Sequence, residues 1–224
     1  MARQSKTQVL SDIHSYSINL NTREIYIHSY YSKDDETEPG VDYRQSTTFI
    51  KNLHVLDVGE GPKPILIHMQ SIGGCWDNGM AMFNSIEYSR SYVTIVAYAQ
   101  ASSMSGILLQ SASLRVIMPD CHFLMHHGDS YTAGHPMAVK AAADFGQKNC
   151  KRMLEIFAER AYKSGPFFKK KKNNSMQAAY NYFEKRLKDK VDWYLDSREV
   201  IDLGLADHIF GEDPYPHMQA LLGE

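Results

Sequence analysis

Between Arg23 and Ser29, Ile25 and Ile27 alternate with polar neighbours, a period-two pattern that predicts a strand. From Val41 to Asp57 the spacing changes to that of a helix, with Phe49, Leu53 and Leu56 on one side, and Gly59-Glu60-Gly61-Pro62 is a stop signal. Ile65 to Met69 reads as a short buried strand, Ser71-Ile72-Gly73-Gly74 as a turn, and the stretch through Met82, Phe83 and Ile86 as an amphipathic helix. The same order recurs: Tyr92 to Ala97 is a β-branched run, and Ser102 to Ser113 carries Met104, Ile107 and Leu108 on one face. Strand, turn and helix occurring twice imply parallel pairing with right-handed crossovers, so the fold class is α/β. Arg115 to Met118 and Cys121 to His126 are further strand candidates, and the longest helix runs from Pro136 to Tyr162 until Gly165-Pro166 ends it.

Several stretches fall outside this alternation. Residues 1–22 are polar and weakly periodic and are expected to form a flexible arm. Lys33-Asp34-Asp35-Glu36-Thr37-Glu38-Pro39-Gly40 reads as a solvated loop closed by a turn pair. Lys169 to Lys172 with Asn173 and Asn174 open a mixed-charge helical segment reaching Lys190. There is no internal repeat, so the expectation is one domain over residues 23–210, carrying a lysine-rich insert at about 163–190 and a tail at 211–224.

Composition narrows the function classes. A hydrophobic fraction of 43% with 22% charged residues excludes collagen-like and wholly disordered chains. A formal charge of -2 argues against nucleic acid or an anionic membrane as the main partner. The lysine run lacks interleaved aromatics and reads as a solvated surface. No apolar run approaches membrane-spanning length and residues 1–8 lead into no secretory segment, so a soluble, cytoplasmic protein is expected. Cys75, Cys121 and Cys150 form an odd, widely spaced set suited to free thiols in a reducing compartment.

Three local features can carry chemistry. Ser103 follows a buried strand and opens a helix, where a hydroxyl either acts as a nucleophile beside the amides of the next turn or caps the helix. Gly73 and Gly74 sit between a strand and a helix, where their backbone can approach a ligand or simply make a tight turn. The pattern is too sparse for a phosphate cradle, whereas an oxyanion hole needs one or two aimed N–H groups. In Cys121-His122-Phe123-Leu124-Met125-His126-His127, strand alternation puts His122, Leu124 and His126 on one face and His127 on the other. That splits the set against a zinc site and leaves a catalytic or a structural imidazole at the strand end. Asp129, Asp192, Asp196, Asp202 and Asp207 all lie downstream as acids that could orient it.

Taken in order, these pieces resemble the proteolytic subunits of ATP-dependent Clp proteases, over about Arg23 to Phe210. Ser71-Ile72-Gly73-Gly74 stands where the family has Ser-Pro-Gly-Gly, and Ala101-Ser102-Ser103-Met104 where it has Ala-Ala-Ser-Met. Met118-Pro119-Asp120 leading to Met125-His126 is similar to Leu-Pro-Asn leading to Ile-His. Leu195 to Asp207 is similar to Leu-Ser-Ala-x-Glu-Ala-x-x-Tyr-Gly-Leu-Val-Asp.

The resemblance implies a spiral α/β fold shared with the crotonases, with the Gly128 to Gly134 segment and the long helix as a protruding handle. It implies Ser103 as nucleophile, His126 as general base and Asp192 as acid, with the N–H groups of Met104 and of Gly74, or less favourably Gly73, as oxyanion hole. It further implies two stacked seven-membered rings of identical subunits, unfolded polypeptide substrates and a partner unfoldase ATPase of the AAA+ type, with no cofactor or metal. Departures from the family pattern are Ile72 for its proline, Leu66 and His68 for two aromatics of the ATPase-docking strand, an unrelated N-terminal arm and the insert before Asp192. Rival readings are a catalytically silent ring subunit, a crotonase-type acyl-CoA enzyme and a self-processing shell protease of viral type.

Overall fold

The alternation of buried strands with helices produces a mixed α/β fold in the computed structural model, which describes residues 4–28, 40–58, 62–129 and 131–222. The expected loop from Lys33 to Pro39 and the stop signal Gly59-Glu60-Gly61 lie outside the described residues. In chain order the elements are α1 (Lys6–Tyr16), β1 (Ile18–Asn19), β2 (Glu24–His28), α2 (Tyr43–Asp57), β3 (Ile65–Ser71), α3 (Trp76–Glu87), β4 (Val93–Ser102), α4 (Met104–Leu109) and β5 (Leu114–Ile117). They continue with β6 (His122–Met125), α5 (Pro136–Ser164), α6 (Pro166–Lys169), α7 (Met176–Lys190), β7 (Trp193–Leu195), α8 (Ser197–Leu203), β8 (His208–Ile209) and α9 (Met218–Leu222).

The sheet is mostly parallel. Strands β2, β3, β4, β5 and β8 are successive parallel neighbours, and β1 closes one edge antiparallel to β2. Val93, Ile95 and Val96 are buried from both sides of the sheet, which is why the middle of β4 reads as an unbroken apolar run. β4 is also forked in its pairing. Its first half, Thr94 to Ala97, pairs with β5, and its last residues, Gln100 to Ser102, pair with β6. β6 then takes β7 as an antiparallel partner.

One face of the sheet is covered by helices. Phe49 and Leu53 of α2, Met82 and Phe83 of α3, Leu108 of α4, Phe157 of α5 and Phe183 of α7 join Ile67 and Ile95 in a single core. On the other face Leu66, Val96 and Val116 are covered by Phe210, Tyr215, Met218 and Leu221 from the C-terminal segment. The lysine-rich insert folds as α6 and α7, whose Phe168 and Phe183 connect Phe157 to Trp193 of β7 through contacting rings. Among the described residues no helix is long and apolar enough to cross a membrane.

Three expectations change. Part of the expected arm is helical: Ser5 caps α1 by accepting the Gln8 N–H, and buried Asp12 accepts the amides of Gln4 and Gln8 at 2.8 and 2.7 Å. Those mutual side-chain bonds hide the helix from a hydrophobic count. Val41 does not start α2 but bridges Gly74, and Asp42 caps α2 by accepting the Gln45 N–H at 2.8 Å. The helix expected over Ser102 to Ser113 shortens to α4, because β4 runs on through Ser102.

The end of the fold is tied to its centre by one buried cation. The Arg115 side chain, 3% exposed, bonds Asp207 Oδ2 at 3.1 Å, Gln110 Oε1 and the Gly204 carbonyl at 2.8 Å each, and Ser164 Oγ at 3.2 Å. Removing the anion leaves a buried guanidinium uncompensated, so Asp207→Ala is expected to cost about 3–5 kcal/mol in chemical denaturation. The double change Arg115→Met with Asp207→Leu is expected to cost less than that single change.

Candidate active site

Ser103 sits in the one-residue link between β4 and α4 with φ 54° and ψ -122°, a conformation that a residue with a Cβ rarely adopts. The turn is held from both sides. The Ser103 N–H donates to the Leu124 carbonyl of β6 at 2.9 Å, and the Ser103 carbonyl accepts the Gly106 N–H at 3.0 Å. Fully buried Ser105 places its hydroxyl 2.6 Å from both the Ser71 and the Ser102 carbonyls, tying the turn after β3 to the end of β4. The Ser103 side chain accepts no capping N–H from α4, so its hydroxyl is available to another partner.

That partner is His126, the first residue after β6. Its Nε2 lies 2.7 Å from Ser103 Oγ, and its Nδ1 lies 3.2 Å from Asp192 Oδ1. With the proton on Nδ1, the ring donates to Asp192 and accepts the Ser103 hydroxyl. The other candidate acids are elsewhere. Asp196 caps α8 in a reciprocal bond with Glu199, Asp202 is exposed on α8, Asp207 holds Arg115, and Asp129 lies on an exposed rim. Asp192 is the one of the five hydrogen-bonded to His126.

The two glycines have different surroundings. Gly73 has φ +94°, and a Cβ there would stand 2.5 Å from the Ser102 carbonyl oxygen and 2.7 Å from Ser103 Cβ. Only glycine lets the two turns approach this closely. The Gly73 N–H donates to Ser71 Oγ at 3.2 Å. Around Gly74, Val41 takes the Gly73 carbonyl with its N–H and the Cys75 N–H with its carbonyl. By strand alternation this turns the Gly74 N–H to the opposite side. Among the described residues neither the Gly74 nor the Met104 N–H donates to another backbone group, and both residues line the same cleft as Ser103 and His126.

The cleft has a volume of about 770 Å³. Its inner wall is apolar, made by Ile107, Met125, Met153, Leu154 and Phe157, all buried. Tyr180 and Glu184 bring α7 to its rim. His127 also lines the rim, where desolvation lowers its pKa against the pull of Glu184. Burial pushes the Cys121 thiol up to about 12 and raises that of Cys150, so both remain protonated at neutral pH and are poor nucleophiles. His122 is exposed and tilted against Tyr194, and among the described residues no three His, Cys, Asp or Glu side chains converge as a metal site. The sequence does not reveal that Ser71, Ser105, Val41 and Leu124 hold the turns; the repeated serines flanking Gly-Gly and Ser103 are the one available signal.

The model of the Clp protease family matches residues 14–213. The chain belongs to the Clp protease family. Among the described residues the match takes in all eight strands, the cleft and the segment formed by α6 and α7, and leaves out most of α1 and all of α9. Membership makes this a peptidase fold, and the parallel α/β sheet is that of the Clp protease family.

The close approach of Gly73 to the Ser103 turn is directly testable. Gly73→Ala is expected to slow labelling of Ser103 by a fluorophosphonate on the order of tenfold or more. The overpacked turn is expected to cost about 1–3 kcal/mol in denaturation.

Proposed function

We propose that this chain is a serine endopeptidase in which Ser103, His126 and Asp192 form the catalytic triad. The observation that carries the reading is the unbroken relay from Ser103 Oγ to His126 Nε2 at 2.7 Å and from His126 Nδ1 to Asp192 Oδ1 at 3.2 Å. Ser103 Oγ attacks the scissile carbonyl while His126 Nε2 takes its proton, and the Asp192 carboxylate holds the imidazole in the accepting tautomer. The resulting oxyanion is received by the Met104 and Gly74 N–H groups, which among the described residues donate to no other backbone group. His126 then returns the proton to the leaving amine, and water repeats the sequence to release the acyl group from Ser103.

The substrates on this reading are unfolded polypeptides, whose apolar side chains suit the apolar wall of the cleft beside Ser103. Clp proteases generally work as ring oligomers with AAA+ partners. We extend that to this chain: identical subunits form double rings of seven around a chamber, fed by an unfoldase ATPase. Nothing in the chemistry asks for a cofactor, because the hydroxyl, imidazole, carboxylate and amides supply every group the two half-reactions use.

The test is hydrolysis of a fluorogenic peptide by the full chain. Ser103→Ala and His126→Ala are each expected to lower kcat by at least roughly 10⁴-fold, with the fold intact by circular dichroism. Asp192→Asn is expected to lower kcat by about 10² to 10⁴-fold. Turnover unchanged in Ser103→Ala, or fluorophosphonate attached to another residue, overturns the assignment.

A further inference from the structure

We infer that Val191 is a positioning residue whose backbone conformation aims Asp192 at His126, an inference that rests on the triad reading above. Val191 ends α7 with φ 63° and ψ -72°, a strained conformation that is rare for any residue and an outlier for a β-branched one. The residue is 74% exposed. Packing of the valine therefore does not hold this conformation, and the reason must lie in what the backbone connects.

On one side, the Val191 N–H donates to the Leu187 carbonyl at 3.0 Å and closes the last turn of α7. On the other, Trp193 begins β7 directly opposite Met125, the residue before His126. Trp193 is anchored: it is 7% exposed, its ring lies 6.1 and 6.2 Å from those of Tyr182 and Phe183, and the Arg186 guanidinium sits 5.4 Å over it. Two fixed ends thus stand two residues apart, and the chain has to reverse between them.

The carboxylate needs this help. Asp192 is 54% exposed, and among the described residues its carboxylate has one hydrogen-bond partner, His126. Among the described residues no second donor orients it, in contrast to Ser103, whose turn is secured by Leu124 and Ser105. The direction of the Asp192 side chain is set by the backbone just before it. With Val191 at an ordinary negative φ, the Asp192 Cα–Cβ bond no longer points at the imidazole while Trp193 stays in register. The turn touches neither substrate nor reacting atoms and acts through Asp192 alone. Strain at such a site is a common sign of a geometry kept for function.

The test compares the full-length protein with Val191→Gly and Val191→Pro, using Ser103-dependent peptide hydrolysis and the low-field proton resonance of the His126 Nδ1–H. Glycine accepts the positive φ, so Val191→Gly is expected to keep kcat within about threefold, retain the resonance and unfold at no lower denaturant concentration. Proline fixes φ near the ordinary negative value, so Val191→Pro is expected to lose kcat on the order of a hundredfold with KM little changed and the resonance absent. Full activity in a folded Val191→Pro overturns the inference, as does a loss in Val191→Gly equal to that in Val191→Pro. If the proline variant does not fold, Val191→Gly decides: reduced kcat, or a lower unfolding midpoint with the resonance lost, overturns it. Wild-type hydrolysis that survives Ser103→Ala sinks the triad reading instead, so the two failures are distinguishable.

Discussion

The forked pairing of β4 is the constraint on which the candidate site depends. Its first half belongs with β5 and its last residues with β6, so the two outer strands diverge and leave a gap at the end of the sheet. Ser103 leaves β4 at that gap, and His126 leaves β6 on the same side. The bond from the Ser103 N–H to the Leu124 carbonyl extends the β4–β6 ladder by one rung beyond the strand. The residue with the least comfortable backbone is therefore held by sheet hydrogen bonding. Its strain, of order 1–3 kcal/mol for such a conformation, is offset by that rung and by the buried Ser105 tie to Ser71 and Ser102.

The same geometry explains why glycine is needed where it is. The turn after β3 must pass under the turn after β4, and Gly73 makes contact where any Cβ would meet Ser102 and Ser103. Val41, reaching back from before α2, turns the Gly74 amide outward. Ile72, which stands where the family pattern has proline, is 39% exposed and takes no part in these contacts. The hydrogen bonds of Val41 and Ser71 hold the turn that proline would otherwise stiffen.

Much of this was legible in the sequence, and what was not has identifiable causes. The parallel α/β class followed from apolar runs alternating with helical periods, because buried parallel strands and amphipathic helices leave different signatures. The last residues of β4 were missed because Gln100 and Ser102 break the apolar run, yet those residues recruit β6. β7 and β8 are too short for a period to show. Asp196, weighed in the sequence only as a candidate acid, instead caps α8 reciprocally with Glu199. Within the site, Ser103 had a local signal and His126 a weaker one, but no local property separates Asp192 from four other aspartates. Its distinction is spatial: the others are committed to a cap, to Arg115 or to solvent.

The two halves of the relay have unequal mechanical support. Hydroxyl and imidazole are carried by neighbouring strands of one sheet, joined by ladder bonds, with buried Phe123 and Met125 beneath β6. Imidazole and carboxylate join that sheet to the end of α7, which rests on α5 and on the aromatic cluster of the insert. A rigid-body shift of α7 would stretch the 3.2 Å contact to Asp192 and leave the 2.7 Å contact from Ser103 to His126 intact. Because α7 also brings Tyr180 and Glu184 to the cleft rim, the same movement would reshape the entrance. In this architecture Ser103 and His126 are held by neighbouring strands, and Asp192 is held between the end of α7 and the start of β7.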